Sequence, residues 1–506
     1  VTFAFRSIGF WLPRRAEMTP ARVALETGDA RITYAELDAR AARCANALAA
    51  AGVGPGDRVA AYLEAGREYV EVFFACARLG AILVPLSTRL AAAELQFMLD
   101  DSGASVLVYD AARADVVKSF RPQVALHAVL AVGEADDPSY EAALAAAAPV
   151  RAPEDCASDD VLAIFYTSGT TGRPKGAMLT HGNFFWTNLN MALALDLTGD
   201  ERSLVVLPLF HVGGWNVNTL AVWWRGGTVV LEPAFDAARA LDLIATRRIT
   251  SMMGVPTVYQ MLADQPGFGA ADLSSLRVCV CGGAPLAVPL IRRYQERGLH
   301  FVQGYGLTEA APNCLIVPSE DAERKAGAAG RPYFFADVRV AGFDGEPVAA
   351  GETGEILVRG PSVMKGYWRR PDETAETLRG GWLHTGDVGR IDDEGYVFVV
   401  DRVKDMFISG GENVYPAEVE KVLGEHPDVA DAAVIGVSDE RWGEVGLAIV
   451  VARAGARPSE EDLRAFCAAR LAKFKVPARA VFAQTLPRNP TGKILKPELR
   501  ALYGGS

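Results

Sequence analysis

The 506-residue chain holds only six histidines and seven cysteines, and neither set has the spacing of a metal site. Cys44, Cys76, Cys156, Cys279, Cys281, Cys314 and Cys467 contain no CxxC pair, and their odd number argues against a disulfide framework. Cys279 and Cys281 fall in the strand-like run LRVCVCGGAP with no histidine beside them. The cysteines read as small buried apolar residues in a reducing compartment. No long basic run offsets the net charge of −11, which excludes nucleic acid as the expected partner. No apolar run approaches the roughly 18 residues of a membrane-spanning helix. The opening VTFAFRSIGFWLPRR lacks the apolar core and cleavage site of a leader, and the closing ALYGGS matches no lipidation or peroxisomal signal. A cytoplasmic protein is expected, with peripheral membrane contact left open. So is the oligomeric state, monomer or homodimer.

What is present suits a soluble globular chain: half the residues are apolar and 22% are charged. At roughly 100–200 residues per domain the length allows two or more cores. Thr33 with Glu36 forms a capping box, and Leu37, Ala41, Ala45 and Leu48 follow at helical spacing. Asp57–Leu63 reads as a strand, Glu68–Leu79 as a helix closed by Gly80, and Ala81–Val84 as the next strand, a β-α-β unit. Strand-like runs recur at Leu204–Leu207, Thr228–Leu231 and Leu276–Val280, so a large α/β region is expected. After residue 335 the strand-like segments shorten. Gly395–Val400 alternates and leads into DRVKD. Beyond it, Pro416 suits the first turn of a helix reaching Leu423, Ala432–Val437 and Leu447–Val451 read as strands, and Ser459 with Asp462 starts another helix. A domain boundary is expected near Asp401–Lys404. From pattern alone a polar turn inside one domain is an equal reading.

The sharpest motif follows the strand-like run VLAIFY: Thr167, Ser168, Gly169, Thr170, Thr171, Gly172, Arg173, Pro174, Lys175 and Gly176. Such a loop offers backbone N–H groups and four side-chain hydroxyls to phosphate oxygens, and Lys175 adds charge. It is not a P-loop, because the spacing differs and Pro174 would obstruct the helix that must follow the lysine. A generic Gly/Ser/Thr stretch is a surface turn; this ten-residue string is too specific for that.

The string resembles the signature of the ANL adenylating superfamily, which holds acyl-CoA synthetases, adenylation domains of peptide synthetases and luciferases. The further motifs LPLFHVGG, CGGAP, QGYGLTE, HTGD, DRVKDMFISGGENVYPAEVE and PRNPTGKILK stand in that family's order, so the likeness covers essentially the whole chain. It looks nearest to bacterial fatty-acyl-CoA synthetases and to the 4-coumarate/feruloyl-CoA ligase group. The resemblance implies an α/β fold with a large multi-sheet N-terminal domain, 1–401, which binds AMP. It also implies a small, mobile α+β C-terminal lid, 402–506, which carries a catalytic lysine. ATP, Mg²⁺ and coenzyme A are the implied cofactors.

Each motif also has a physical task. The glycines Gly304 and Gly306 let backbone approach a ligand closely, Tyr305 offers an aromatic face to adenine, and Thr308 can bond a phosphate oxygen. Glu309 is a hard oxygen ligand for Mg²⁺, with Thr167 as its companion at the metal. Gly282, Gly283 and Ala284 leave room for a flat base or an acyl chain. Asp387 suits a ribose diol, and the resemblance assigns Arg402 to the same ribose. His211 borders the acyl pocket in the family and is expected to line it with Val212, Gly283 and Gly304, without acting as a general base; a satisfied structural histidine is the plainer alternative. Trp215 either shapes the acyl tunnel or belongs to the core. Lys493 is the lysine that the resemblance places at the carboxylate and α-phosphate during adenylation. A carboxylate is already ionised at pH 7, so the chemistry asks for cations and needs no base. For thioester formation the resemblance implies a swing about Lys404 that removes Lys493 and brings Ser409, Gly410 and Gly411 toward the thiol. Lys473, Lys475 and Arg441 are candidates for coenzyme A phosphates.

An ATP-dependent acyl-CoA ligase is the leading expectation. An amino-acid adenylation enzyme would need an acidic residue for the substrate ammonium, and HVGGWN has none; the thirteen residues after Lys493 leave no expected carrier domain. A luciferase-like oxygenase would share the first step. A degenerate binding protein is disfavoured by the complete motif set. Val212, Trp215, Asn216, Gly283 and Gly304 include no cation for a second carboxylate, so a neutral or apolar tail is expected. A medium- or long-chain fatty acid comes first and an aromatic, cinnamate-type acid second.

Overall fold

The computed structural model describes residues 7–167, 174–342, 345–402, 405–409, 412–439, 442–488 and 494–504. Ser168, Gly169, Thr170, Thr171, Gly172, Lys404, Gly410, Gly411, Arg441 and Lys493 lie outside the described residues, and Arg402 is described in its backbone alone. Contacts divide the chain into two compact units. Of the described residues, one holds 7–167, 174–338 and 358–383; the other holds 339–357 and those from 384 onward. The protein is thus a mixed α/β molecule with a large N-terminal part and a smaller C-terminal one.

The first unit contains two large sheets. In the seven-stranded sheet the order is Gly366–Tyr367, Lys175–Thr180, Val161–Thr167, Ile82–Pro85, Arg58–Tyr62, Val106–Asp110 and Ala128–Val132. Its last five strands run parallel and the first two antiparallel. The nine-stranded sheet carries Phe301–Tyr305, Val278–Gly282, Ser251–Gly254, Arg202–Val205 and Thr228–Leu231 as neighbouring parallel strands. Parallel strands covered on both faces read as unbroken apolar runs. Ile82–Pro85 and Thr228–Leu231 are buried at every position, as that rule requires. The predicted β-α-β unit is present as Arg58–Tyr62, Arg67–Leu79 and Ile82–Pro85, and Gly80 closes its helix in the left-handed region at φ 66°. The capping box of Thr33 and Glu36 opens the helix Tyr34–Ala50.

The second unit contains a four-stranded sheet, in the order Asp337–Ala341, Thr353–Arg359, Leu383–Ile391 and Val397–Arg402. Its other sheet pairs Glu412–Val414, Phe407–Ser409, Gly443–Ala452 and Val429–Asp439, with Arg479–Phe482 added parallel to Gly443–Ala452. The helices Pro416–Gly424 and Glu460–Ala468 start where Pro416 and the Ser459–Asp462 capping box predict. Val419, Leu423, Val434, Val450, Leu463 and Cys467 form one of its apolar clusters.

All seven cysteines are buried and none is joined in a disulfide. Burial pushes the Cys279 and Cys281 thiols up to about 12, so both are protonated and unreactive at neutral pH. Among the described residues no helix is long and apolar enough to cross a membrane.

Candidate active site

In the first unit the site gathers at the carboxyl ends of parallel strands, where open α/β sheets bind ligands. The strands Val278–Gly282 and Phe301–Tyr305 lie side by side with Gly282 opposite Gly304. A side chain at Gly282 would come within 3.2 Å of the Gly304 carbonyl and 3.3 Å of the Met253 methyl, so the paired glycines keep this edge bare. Gly283 and Ala284 follow and are exposed.

The chain then turns sharply. A Cβ at Gly306 would fall 1.2 Å from the Pro312 carbonyl oxygen, so only glycine permits this approach of backbone to backbone. Cys314 N–H closes the loop on the Tyr305 carbonyl at 3.0 Å. Between them Thr308, Glu309 and Ala310 form a short 3-10 turn, and Glu309 is buried. Its carbonyl accepts from Met364 N–H at 2.8 Å.

The Glu309 carboxylate is held from two sides. Oε1 accepts from the Thr167 hydroxyl at 3.2 Å and from the Tyr367 hydroxyl at 2.9 Å. The structure therefore brings together Thr167 and Glu309, the two residues expected at a metal. It adds Tyr367, which sequence reasoning missed. Tyr367 reaches the site because Gly366–Tyr367 pairs with Ala177 and Met178 of the strand after the hydroxyl-rich loop. Burial, with the Glu309 charge next in weight, holds its phenol well above the usual range, so it stays a donor. The Lys175 ammonium lies 5.3 Å from the centre of the Tyr367 ring, a cation–π distance. Glu309 Oε2 takes no bond from a described residue and is the hard oxygen that Mg²⁺ prefers. Among the described residues no group of three or more His, Cys, Asp or Glu could hold a metal. One carboxylate shared with nucleotide phosphates is the arrangement Mg²⁺ commonly takes.

His211 caps the short helix Val212–Asn216, and its Nδ1 accepts from Gly213 N–H at 3.1 Å. A backbone N–H can only donate, so Nδ1 is unprotonated and the ring hydrogen sits on Nε2. The ring is open to solvent, yet desolvation lowers its pKa below 6.5. His211 is thus a neutral donor at pH 7. Val212 is wholly buried. Trp215 also belongs to the core: it is fully buried, stacks on Phe73 at 4.2 Å, and donates its indole N–H to the Leu209 carbonyl at 2.6 Å.

In the second unit the HTGD segment is locked by its own hydrogen bonds. His384 Nδ1 lies 2.7 Å from Glu355, whose other oxygen accepts from Gly386 N–H at 3.0 Å. Thr385 donates to the Ile356 carbonyl at 2.7 Å and accepts from Asp387 N–H at 3.1 Å. Asp387 is buried and stands opposite Arg402 in the strand ladder, so the two residues expected at one ribose are cross-strand partners. Asp401 Oδ2 accepts from Ala417 N–H at 2.7 Å, tying the start of DRVKD to the helix Pro416–Gly424. Ser409 is buried at the end of its strand. Lys475 is engaged by both oxygens of Glu418, at 2.8 and 2.7 Å, whereas Lys473 is exposed.

Comparison with known proteins matches residues 12–368 to the AMP-binding enzyme family and residues 418–493 to the AMP-binding enzyme C-terminal domain. A feruloyl-CoA synthase of an Amycolatopsis species is 50% identical over 499 residues, covering 99% of both chains. A long-chain-fatty-acid–CoA ligase of Mycobacterium tuberculosis is 42% identical over 503 residues, again covering 99% of both. The ATP-bound crystal structure of MatB from Rhodopseudomonas palustris superposes with a TM-score of 0.90 at 36% identity, covering 98% of this chain and 99% of that one. With these matches spanning its length, the chain belongs to the AMP-binding enzyme family and is an ATP-dependent, AMP-forming acyl-CoA synthetase that uses ATP, Mg²⁺ and coenzyme A.

Proposed function

We propose that the acid activated by this enzyme is an aromatic carboxylic acid of the cinnamate or benzoate type. Sequence alone ranks a fatty acid first. The observation that carries the reversed order is the higher identity to the feruloyl-CoA synthase, 50% against 42% for the fatty-acid ligase at equal coverage. A fatty acid is the second reading, favoured by the ligase at 42%. The test is pyrophosphate release from ATP with cinnamate, benzoate, octanoate and palmitate in turn. Cinnamate or benzoate should give the highest kcat/KM; a fatty acid well ahead of both contradicts the proposal.

The chemistry follows from the site. A carboxylate oxygen attacks the α-phosphorus of ATP, the bond to pyrophosphate breaks, and an acyl adenylate forms. The thiol of coenzyme A then attacks the acyl carbon, AMP leaves, and the thiol proton passes to solvent. Thr167, Glu309 and Tyr367 would hold Mg²⁺ through the free Glu309 oxygen. When bound, the ion offsets negative charge on the phosphate oxygens. Tyr305 and the bare Gly282–Ala284 edge would receive adenine, with Gly304 and Gly306 giving close approach and Thr308 bonding phosphate. Asp387 and Arg402 would take the ribose. The Nε2–H of His211 would orient the acid, with no proton to remove. Ser168, Gly169, Thr170, Thr171, Gly172 and Lys175 complete the phosphate cradle. Lys493 is the cation for adenylation. The joint is at Lys404, dividing 1–401 from 402–506, with Ser409, Gly410 and Gly411 brought in for the thiol step. A cytoplasmic location belongs to the same reading and is supported by seven cysteines that form no disulfide.

A further inference from the structure

The helix His181–Ala194 is built inside out. Its inward side is polar and engaged. Asn183 Nδ2 donates to the carbonyls of Pro361 and Val363 at 2.9 and 2.8 Å, Thr187 Oγ1 accepts from Asn313 at 3.0 Å, and Asn188 donates to Asn216 at 3.0 Å. Asn190 Oδ1 accepts from Phe335 N–H at 3.0 Å. Asn183, Thr187, Asn188 and Asn190 are all buried. The polar side chains thus hold the segments packed beneath the helix, and solvent meets its other side.

That other side is apolar. Trp186, Leu189, Ala192 and Leu193 fall within an arc of about 120° at 3.6 residues per turn. Leu193 is 56% exposed and the other three are partly exposed. The helix contains no Asp, Glu, Lys or Arg. The bond from Phe335 to Asn190 also helps to set a row of rings across it. Phe334, Phe335, Trp186, Phe185 and Trp224 follow one another with ring centres 4.8, 5.0, 5.4 and 5.9 Å apart. Phe334, at the end of the row, is 82% exposed. A single surface leucine needs no explanation, but a contiguous exposed apolar face on a helix turned this way marks a contact surface.

We propose that this face packs against the same face of a second copy of the chain, across a two-fold axis. Its composition is that of a protein contact, with aromatic rings and no lysine or carboxylate at the centre. An uncharged centre is complementary to itself, so a two-fold brings no like charges together there. Charges of both signs stand at the edge, the exposed Arg225 beside Trp224 and the exposed Asp196 just past the helix. An anionic lipid surface is the competing occupant. It attracts faces rich in Lys and Arg, whereas this helix supplies no cation and the chain carries a net charge of −11. The proposal holds whichever acid the enzyme activates.

The experiment is sedimentation velocity of the full-length enzyme from about 1 to 100 μM, with Phe334→Ser and the double variant Leu193→Lys/Phe334→Ser run beside it. Each protein is also spun with vesicles of phosphatidylcholine and phosphatidylglycerol. The wild type should sediment as a dimer. The double variant should raise the dissociation constant about a hundredfold or more, with pyrophosphate release retained as proof of folding. If it does not fold, Phe334→Ser decides, with an expected loss of about tenfold. A wild type that is monomeric throughout overturns the inference, and so does a dimer as tight in the folded variants as in the wild type. A monomeric wild type that binds the vesicles, with binding lost in the variants, assigns the face to lipid and overturns it too.

Discussion

Tyr367 donates to the same Glu309 oxygen as Thr167, so the orientation of that carboxylate depends on two side chains from different strands. Tyr367→Phe keeps the ring and removes one charge-assisted bond. The half-saturating Mg²⁺ concentration for ATP binding, read by fluorescence titration, should rise about tenfold, while melting stays nearly unchanged. An unaltered Mg²⁺ requirement would show that Thr167 alone suffices. His181 offers a second residue-level test. It is fully buried, its Nδ1 accepts from Ile8 N–H at 3.2 Å, and burial lowers its pKa from 6.5 to about 4. The folded pKa lies below the unfolded one, so the unfolded chain binds the proton first as pH falls. The stabilisation is complete above pH 6.5 and is lost toward pH 4, by about 3 kcal/mol in all. His181→Asn keeps an acceptor but cannot titrate, so its stability should fall less steeply over that range. Parallel pH profiles for the two proteins would contradict this assignment. Neither Tyr367 nor His181 is legible in the sequence, because each acts on a residue more than fifty positions away.

At the scale of elements, local signals were readable and long-range ones were not. The capping boxes at Thr33 and Ser459, the proline start at Pro416 and the Gly80 stop are written within a few residues, and each stands where the pattern puts it. Strand lengths are less visible. The runs Ala432–Val437 and Leu447–Val451 extend in the structure to Val429–Asp439 and Gly443–Ala452, because cross-strand hydrogen bonding continues past the apolar centre into polar residues. Residues 339–357 group with the C-terminal residues through sheet pairing that no local pattern announces. The candidate site was legible as motifs, whereas its geometry depends on turns such as that at Gly306. Gly306→Ala should displace the Thr308–Glu309 turn and lower adenylation about a hundredfold, as expected of a shift near an ångström at a reacting centre. Gly269→Ala, where a Cβ would meet nothing within 4 Å, is the control and should change little. Equal activity of the two variants would remove the steric account of the loop.

At the scale of the whole molecule the account requires two half-reactions served by different residues. Lys493→Ala should nearly abolish adenylate formation from acid and ATP, yet leave thioester formation from pre-made acyl adenylate largely intact. Equal loss of both steps would count against a lysine dedicated to the first. The central claim, that the carboxylate itself attacks the α-phosphorus, is tested most directly by labelling both carboxylate oxygens of the acid with heavy oxygen and following the label by mass spectrometry. The account predicts that each AMP released carries one labelled oxygen from the acid, and that pyrophosphate carries none. Label appearing in inorganic phosphate or pyrophosphate, or AMP released without it, would contradict the account.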